Sequence, residues 1–258
     1  MAGHRGPVLD WRSGRLLFES HKRMNERGGR SGKHMPGVDA IQAVNRGSQT
    51  RRRLLRAGLE LFGQRDYDNV TTRQLADLAG ANLAAIPYHF GTKQALYQAV
   101  AEDIVASIQP STRAALLTAG RCADTPDAGA HRLLQALREV ILAFSHEVVG
   151  VADARLRAGY ILREQLRPSA SFDVLYEGFM RELHSVMTRL HARLLGCPDE
   201  DPAMAFRCQC LIGQVLGFRV GREVLLRRLN RDTLDPRQIA EFVADTNVAA
   251  LQREIGHA

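Results

Sequence analysis

The sequence predicts an all-α protein in two parts: a small three-helix head carrying a helix-turn-helix, and a larger helical body behind it. Three observations lead there. Residues 71–96, TTRQLADLAGANLAAIPYHFGTKQAL, read as two short helices around a tight turn, with a third helix starting just after. Beyond Pro110 one helical pattern follows another, and strand-like alternation is nowhere sustained. Basic charge is concentrated at one end: residues 1–53 carry a net +8 and the remainder a net −1, so nearly all of the formal +7 lies ahead of the helix pair.

Residues 1–47 are rich in Gly, Arg and Ser with little apolar periodicity, and are expected to form a disordered basic tail. Such a tail either adds sequence-independent phosphate contacts or is simply solvated. The first helix is expected over residues 49–64, with Arg51, Arg52 and Arg53 on its leading turn and Leu55, Leu59 and Phe62 as its buried stripe. Thr71 and Gln74 form a capping box, Leu75, Ala76 and Ala79 give the next helix its apolar face, and Gly80 ends it. Asn82 is the next N-cap, Ile86 and Phe90 make a buried edge, Gly91 stops the helix, and Thr92 caps another that runs to about Ser107. Counted from Asn82, Pro87 is the fifth residue of its helix. Its missing N–H is expected to delete a bond to the Leu83 carbonyl, at up to ~3 kcal/mol, and to tilt or loosen that helix.

The second helix of a helix-turn-helix lies in the DNA major groove. An ordinary pair of packed helices has the same spacing, and the residues favour the groove. Tyr88 and His89 stand on the expected outer side, Lys93 follows, and Ala84 and Ala85 leave the backbone free to approach base edges.

In the body, helices are expected over residues 112–119, 131–149, 153–167, 172–195, 203–229 and 236–255, punctuated by Pro126, Pro168, Gly196 and Pro198. Gly213, Gly217 and Gly221 fall at i, i+4 and i+8, which predicts close approach of another helix, within the subunit or from a second copy. Arg219, Arg222 and Glu223 in the same segment exclude a membrane glycine motif. Tyr160, Arg163, Glu164, Phe172, Tyr176 and Phe179 mix aromatic walls with polar groups, as small-molecule pockets do, though core and surface of ordinary helices read the same way. No apolar run approaches the ~20 residues of a membrane span, and no signal peptide is visible, so a cytoplasmic protein with no membrane contact is expected. Cys122, Cys197, Cys208 and Cys210 lack metal-ligand spacing and read as buried thiols. With no Gly-rich phosphate loop, nucleophile motif or metal cluster, neither an enzyme, a cofactor nor a metal is expected.

Taken together, LLRAGLELF at 54–62, Tyr67, TTRQLADLAG at 71–80 and AAIPYHFGTKQALYQAV at 84–100 resemble the DNA-binding domain of the TetR family of bacterial transcriptional regulators. ANLAAIPYHFGTKQALYQAV, with ILREQLRPSASFD at 161–173, is similar to the CecR-like branch of that family. The resemblance implies a reading head over residues 48–108 and a ligand-binding and dimerisation body over 109–258. It implies a homodimeric repressor on a palindromic double-stranded DNA operator, released by a small-molecule effector. By the same carry-over Thr72 and Tyr88 contact phosphates, Arg73 reaches a guanine edge, Leu83, Ala84 and Pro87 lie toward bases, and His89 and Lys93 hold the DNA backbone. The resemblance also implies that the last two long helices, with Gly213, Gly217 and Gly221, pair with their copies in a four-helix interface. Two departures stand out. Asp66 occupies a position where the family usually has Gly, and is expected to tolerate a left-handed turn. Pro87 is unusual, and favours an alternative, a helical ligand- or partner-binding protein with weakened DNA binding.

Overall fold

The computed structural model describes residues 36–256, and among them every regular element is helical. The head comprises α1 (Pro36–Gln64), a single 3₁₀ turn (Tyr67–Asn69), α2 (Thr72–Ala79), α3 (Ala85–Phe90) and α4 (Lys93–Ala106). The body comprises α5 (Pro110–Ala123), α6 (Ala130–Ser145), α7 (Ala154–Leu166), α8 (Ala170–Leu175), α9 (Arg181–Leu195), α10 (Pro202–Val220), α11 (Arg222–Leu229) and α12 (Pro236–Gly256). Two π-helical turns interrupt it, His146–Gly150 after α6 and Tyr176–Met180 between α8 and α9. Residues 43–258 form one compact unit.

Local chemistry explains the head. Thr71 Oγ1 accepts from the Gln74 N–H while Gln74 Oε1 accepts from the Thr71 N–H, so the capping box closes both ways. Gly80 ends α2 in the left-handed region at φ 57°, where a Cβ would be strained. Thr92 caps α4 through the Ala95 N–H. Leu54, Phe62, Val70, Leu75, Ile86 and Leu96 are sealed from solvent in one cluster, which also takes in Tyr160 of α7 and Leu175 of α8. The body has its own core, centred on Leu137, Ile141, Met187, Leu190, Leu211 and Val215.

Several expectations are corrected. α1 starts at Pro36, so residues 36–47, expected in the disordered tail, are helical; Pro suits a first helical position, where its missing N–H is an orphan anyway. Residues 1–35 lie outside the described residues. Asp66 is extended (φ −64°, ψ 150°), so this turn needs no left-handed residue. The expected helix over 203–229 breaks at Gly221 into α10 and α11. Cys122 and Cys208 are buried thiols as expected, but Cys197 is only half-buried and Cys210 is exposed. Among the described residues no helix is long and apolar enough to cross a membrane, and no cluster of His, Cys, Asp or Glu has metal-site geometry.

Candidate nucleic-acid interface and the cavity behind it

α3 is pinned by one buried residue, Ile86, and its leading face is open: Leu83, Ala84, Pro87 and Tyr88 are exposed, Tyr88 by 83%. The Asn82 side chain accepts from the Ala84 N–H, holding the turn into the helix. Because α3 begins at Ala85 rather than directly after Asn82, Pro87 sits in the first turn, where backbone N–H groups have no intrahelical partner. The Leu83 carbonyl accepts from the Ile86 N–H instead, so nothing is orphaned and no kink follows. Contrary to expectation, then, Pro87 does not loosen the recognition helix.

The flanking residues divide into free and occupied. Arg73 is exposed at the start of α2, with Thr72 half-buried beside it. The His89 ring packs edge-on to Tyr88, centroids 4.8 Å apart, and lies against α1 near Gly47. Arg51 lies over the Phe90 ring at 5.1 Å, and Arg53 donates to the Gly80 carbonyl at the end of α2. Two of the arginines seen in the sequence therefore brace α1 against the reading helices. Lys93 is more committed still. Its ammonium donates to the carbonyls of Tyr67 (2.9 Å) and Val70 (2.8 Å) and rests 3.9 Å from the centre of the Tyr67 ring. Lys93 thus ties the start of α4 to the turn before α2, leaving at most one N–H for an outside acceptor.

Head and body meet at a joint that takes three of the residues expected in a ligand pocket. The backbones of α1 and α7 touch at two glycines: a Cβ on Gly159 would lie 2.1 Å from the Gly63 carbonyl oxygen, and one on Gly63 would lie 2.6 Å from the Leu156 carbonyl oxygen. Arg163 Nη1 donates to the carbonyls of Phe62, Gly63 and Gly159, and its Nε to Asp66, so one guanidinium satisfies the C-terminal end of α1. Beneath it Tyr160 donates to the Tyr97 carbonyl (2.8 Å) and Tyr97 to the buried Glu164 (2.7 Å). The other Glu164 oxygen accepts from the Ser169 N–H and hydroxyl. Burial, reinforced for Tyr97 by Glu164, holds both phenols far above their usual pKa and keeps them as donors. Tyr160, Arg163 and Glu164 thus each have internal partners; Arg163 and Glu164 also border a polar cleft with Tyr67 and Gln98, distinct from the cavity described next. Phe172 and Tyr176 stack on each other, with centroids 6.1 Å apart. Of the six, only Phe179 reaches that cavity.

A cavity of about 120 Å³ lies where α4, α6, α7, α9 and α10 converge. Ile104 and Val105 of α4, Phe144, Ile161, Phe179 and Leu183 supply an apolar wall. Its polar part comprises an ion pair, Arg157 Nη1 to Glu147 Oε2 at 3.7 Å, together with His184, Gln165 and Gln209. The other Glu147 oxygen is taken by the Gln109 N–H and the Thr112 hydroxyl at the start of α5. Burial lowers the pKa of His184 and favours its neutral form. The sequence offered no sign of this pair, since Glu147 and Arg157 stand on separate elements.

The glycine line also resolves. Among the described residues nothing lies within 4 Å of a Cβ built on Gly213 or Gly217, and both are exposed. Neither therefore serves close packing inside the subunit. Gly221, at the break after α10, stands apart from them. With Phe206, Cys210 and Val220, Gly213 and Gly217 fall on a 4-3-4-3 spacing along one exposed face of α10, and Phe242 of α12 is exposed as well.

Comparison with known proteins follows the same outline. The pattern described as bacterial regulatory proteins, tetR family, matches residues 54–100, and that of the C-terminal domain of the HTH-type transcriptional dual regulator CecR matches residues 133–253. The chain is 36% identical over 194 residues to the HTH-type transcriptional dual regulator CecR of Shigella flexneri, covering 74% of this chain and 84% of that one. HlyIIR, a hemolysin II transcriptional regulator, shares the fold at a TM-score of 0.52 and 16% identity, over 79% of this chain and 97% of its own. NalD, the secondary repressor of the MexAB-OprM multidrug efflux pump in Pseudomonas aeruginosa, does so at a TM-score of 0.51 and 18% identity, over 81% and 97%.

Proposed function

Because the chain belongs to the TetR family of bacterial transcriptional regulators, in its CecR branch, we propose that it acts as a homodimeric repressor. Two heads (residues 48–108) occupy half-sites of a palindromic double-stranded operator, and a small molecule in the bodies (residues 109–258) releases them. The observation that carries this reading is the open face of α3, presented by a helix whose only buried side chain is Ile86. On that face Leu83, Ala84 and Pro87 suit thymine methyl groups, Arg73 a guanine edge, and Thr72 and Tyr88 the phosphates. His89 and Lys93 then act chiefly by bracing the helices, given their internal partners.

The second copy is assigned to the α10 face. It exposes two large apolar side chains and a two-glycine groove in one row, which a symmetric helix would cover. Release is assigned to α4, which both forms a wall of the cavity and continues from the reading helices, with the Gly63–Gly159 joint as a second link. The Shigella relative is named a dual regulator, a name compatible with repression here and with activation from another operator position.

Fluorescence anisotropy on a palindrome selected from a random pool tests the proposal. Arg73→Ala should cost about 1–3 kcal/mol and relax preference at one base pair per half-site. A wild-type protein that binds selected and random duplexes alike at physiological salt would sink it.

A further inference from the structure

The effector cavity has a defect that points to its occupant. Arg157 Nε is buried and has no hydrogen-bond partner among the described residues, while Nη1 faces Glu147. Arg157 lines the cavity, so a residue with an unpartnered donor stands in a wall that is mostly apolar but also holds the Gln165 and Gln209 amides. A buried guanidinium N–H left unpaired is costly, and the cost is recovered when an acceptor arrives. The charge bookkeeping narrows the acceptor. Arg157 is matched by Glu147, and His184 is held toward its neutral form by burial. A carboxylate would therefore bring an unbalanced negative charge next to Glu147 in a low-dielectric site. A pure hydrocarbon would fill the volume and leave Nε unpaired. The volume, about 120 Å³, holds something on the order of ten water-sized spheres, room for a substituted benzene.

We propose that this cavity takes a small, uncharged, mainly apolar molecule that presents a carbonyl-type acceptor to Arg157. The proposal rests on the effector reading above and names the chemistry of that same site. Arg157 is then the specificity-determining residue, and Ile104 and Val105 of α4 are the groups through which the occupant is felt by the head.

Three matched probes test it: acetophenone (neutral carbonyl), ethylbenzene (no acceptor) and benzoate (carboxylate), titrated into the full-length protein with NMR observation of the Ile161 and Ile212 methyls that line the cavity. In the wild type, acetophenone should bind roughly tenfold or more tightly than ethylbenzene, as a hydrogen bond to a charged donor implies, and benzoate should be the weakest. Arg157→Lys keeps a cation for Glu147 but removes Nε, and should shrink the acetophenone advantage to about twofold or less. The wild-type ranking decides the matter even if that variant folds poorly. Equal binding of acetophenone and ethylbenzene, or benzoate as the tightest, overturns the proposed chemistry while leaving the effector site in place; a solvent molecule satisfying Nε would produce the first result. If no probe moves those methyls while the same preparation binds the selected palindrome, the cavity is not a ligand site. In that case this proposal and the effector half of the functional reading fail together, and the DNA-binding half stands.

Discussion

Replacing Gly159 by Ala sets helix propensity against packing. In the middle of a helix the change is ordinarily favourable by up to ~1 kcal/mol. Here the new methyl would sit 2.1 Å from the Gly63 carbonyl oxygen, where an ordinary contact begins at 3.4 Å. The atom struck is backbone, so no side chain can swing aside, and α1 and α7 must part by about 1 Å. Forced overpacking typically costs 1–3 kcal/mol. The same movement stretches the bonds from Arg163 to the Phe62 (3.2 Å) and Gly63 (3.0 Å) carbonyls, which face solvent in part and add about 1–2 kcal/mol when lost. The net expectation is a loss of about 1–4 kcal/mol, or roughly 2–16 °C in melting temperature for a unit of this size. Urea unfolding followed by circular dichroism, repeated at several protein concentrations because a dimer is proposed, measures it. Operator affinity should fall as well, since the heads are displaced relative to the bodies although no DNA-facing residue has changed. A variant as stable as the wild type, or more so, would show that propensity outweighs the contact and that α1 and α7 do not approach this closely in solution.

Lys93→Met should destabilise the head by about 2–3 kcal/mol through loss of two carbonyl acceptors and the contact with Tyr67; a stable variant whose salt slope for DNA falls by about one ion would instead identify Lys93 as a phosphate ligand. Pro87→Ala should change stability by no more than about 0.5 kcal/mol, because the restored N–H belongs to the first turn of α3; a gain near 3 kcal/mol in thermal unfolding would place the proline in a helix interior after all. Gly217→Leu adds a Cβ that meets nothing within 4 Å among the described residues, so helicity should be kept while sedimentation shows dissociation at low concentration. If it stays fully dimeric there, the α10 face is not the interface.

The legible parts of this protein are those set by neighbours a few residues apart. The capping box at Thr71 and Gln74, the stop at Gly80 and the cap at Thr92 are interactions over three or four residues, and each stands where the pattern placed it. The buried stripe of α1 was readable because helical periodicity is itself local. Pro87 shows the limit of such reading: a helix start misplaced by two residues turned a tolerated first-turn proline into an apparent defect.

By itself, then, the sequence determined the all-α class, the helix-turn-helix and the family, though not the start of α1 or the break at Gly221, because caps, turns and motif spacing act within a turn or two of chain. The tertiary structure alone decided the rest. Arg163 reaches carbonyls about a hundred residues away, and its pairing with α1 follows from two glycine-lined backbones in contact rather than from any pattern around it. Glu147, on the π-helical turn after α6, and Arg157, on α7, become a cavity wall only when those elements meet beside Ile104 and Val105 of α4. Gly213 and Gly217 were visible as a line, but whether that line faces a neighbour or open space depends on every other helix in the body. Local backbone preference is written in short stretches of residues; the meeting of distant surfaces is settled by packing, which no short stretch contains.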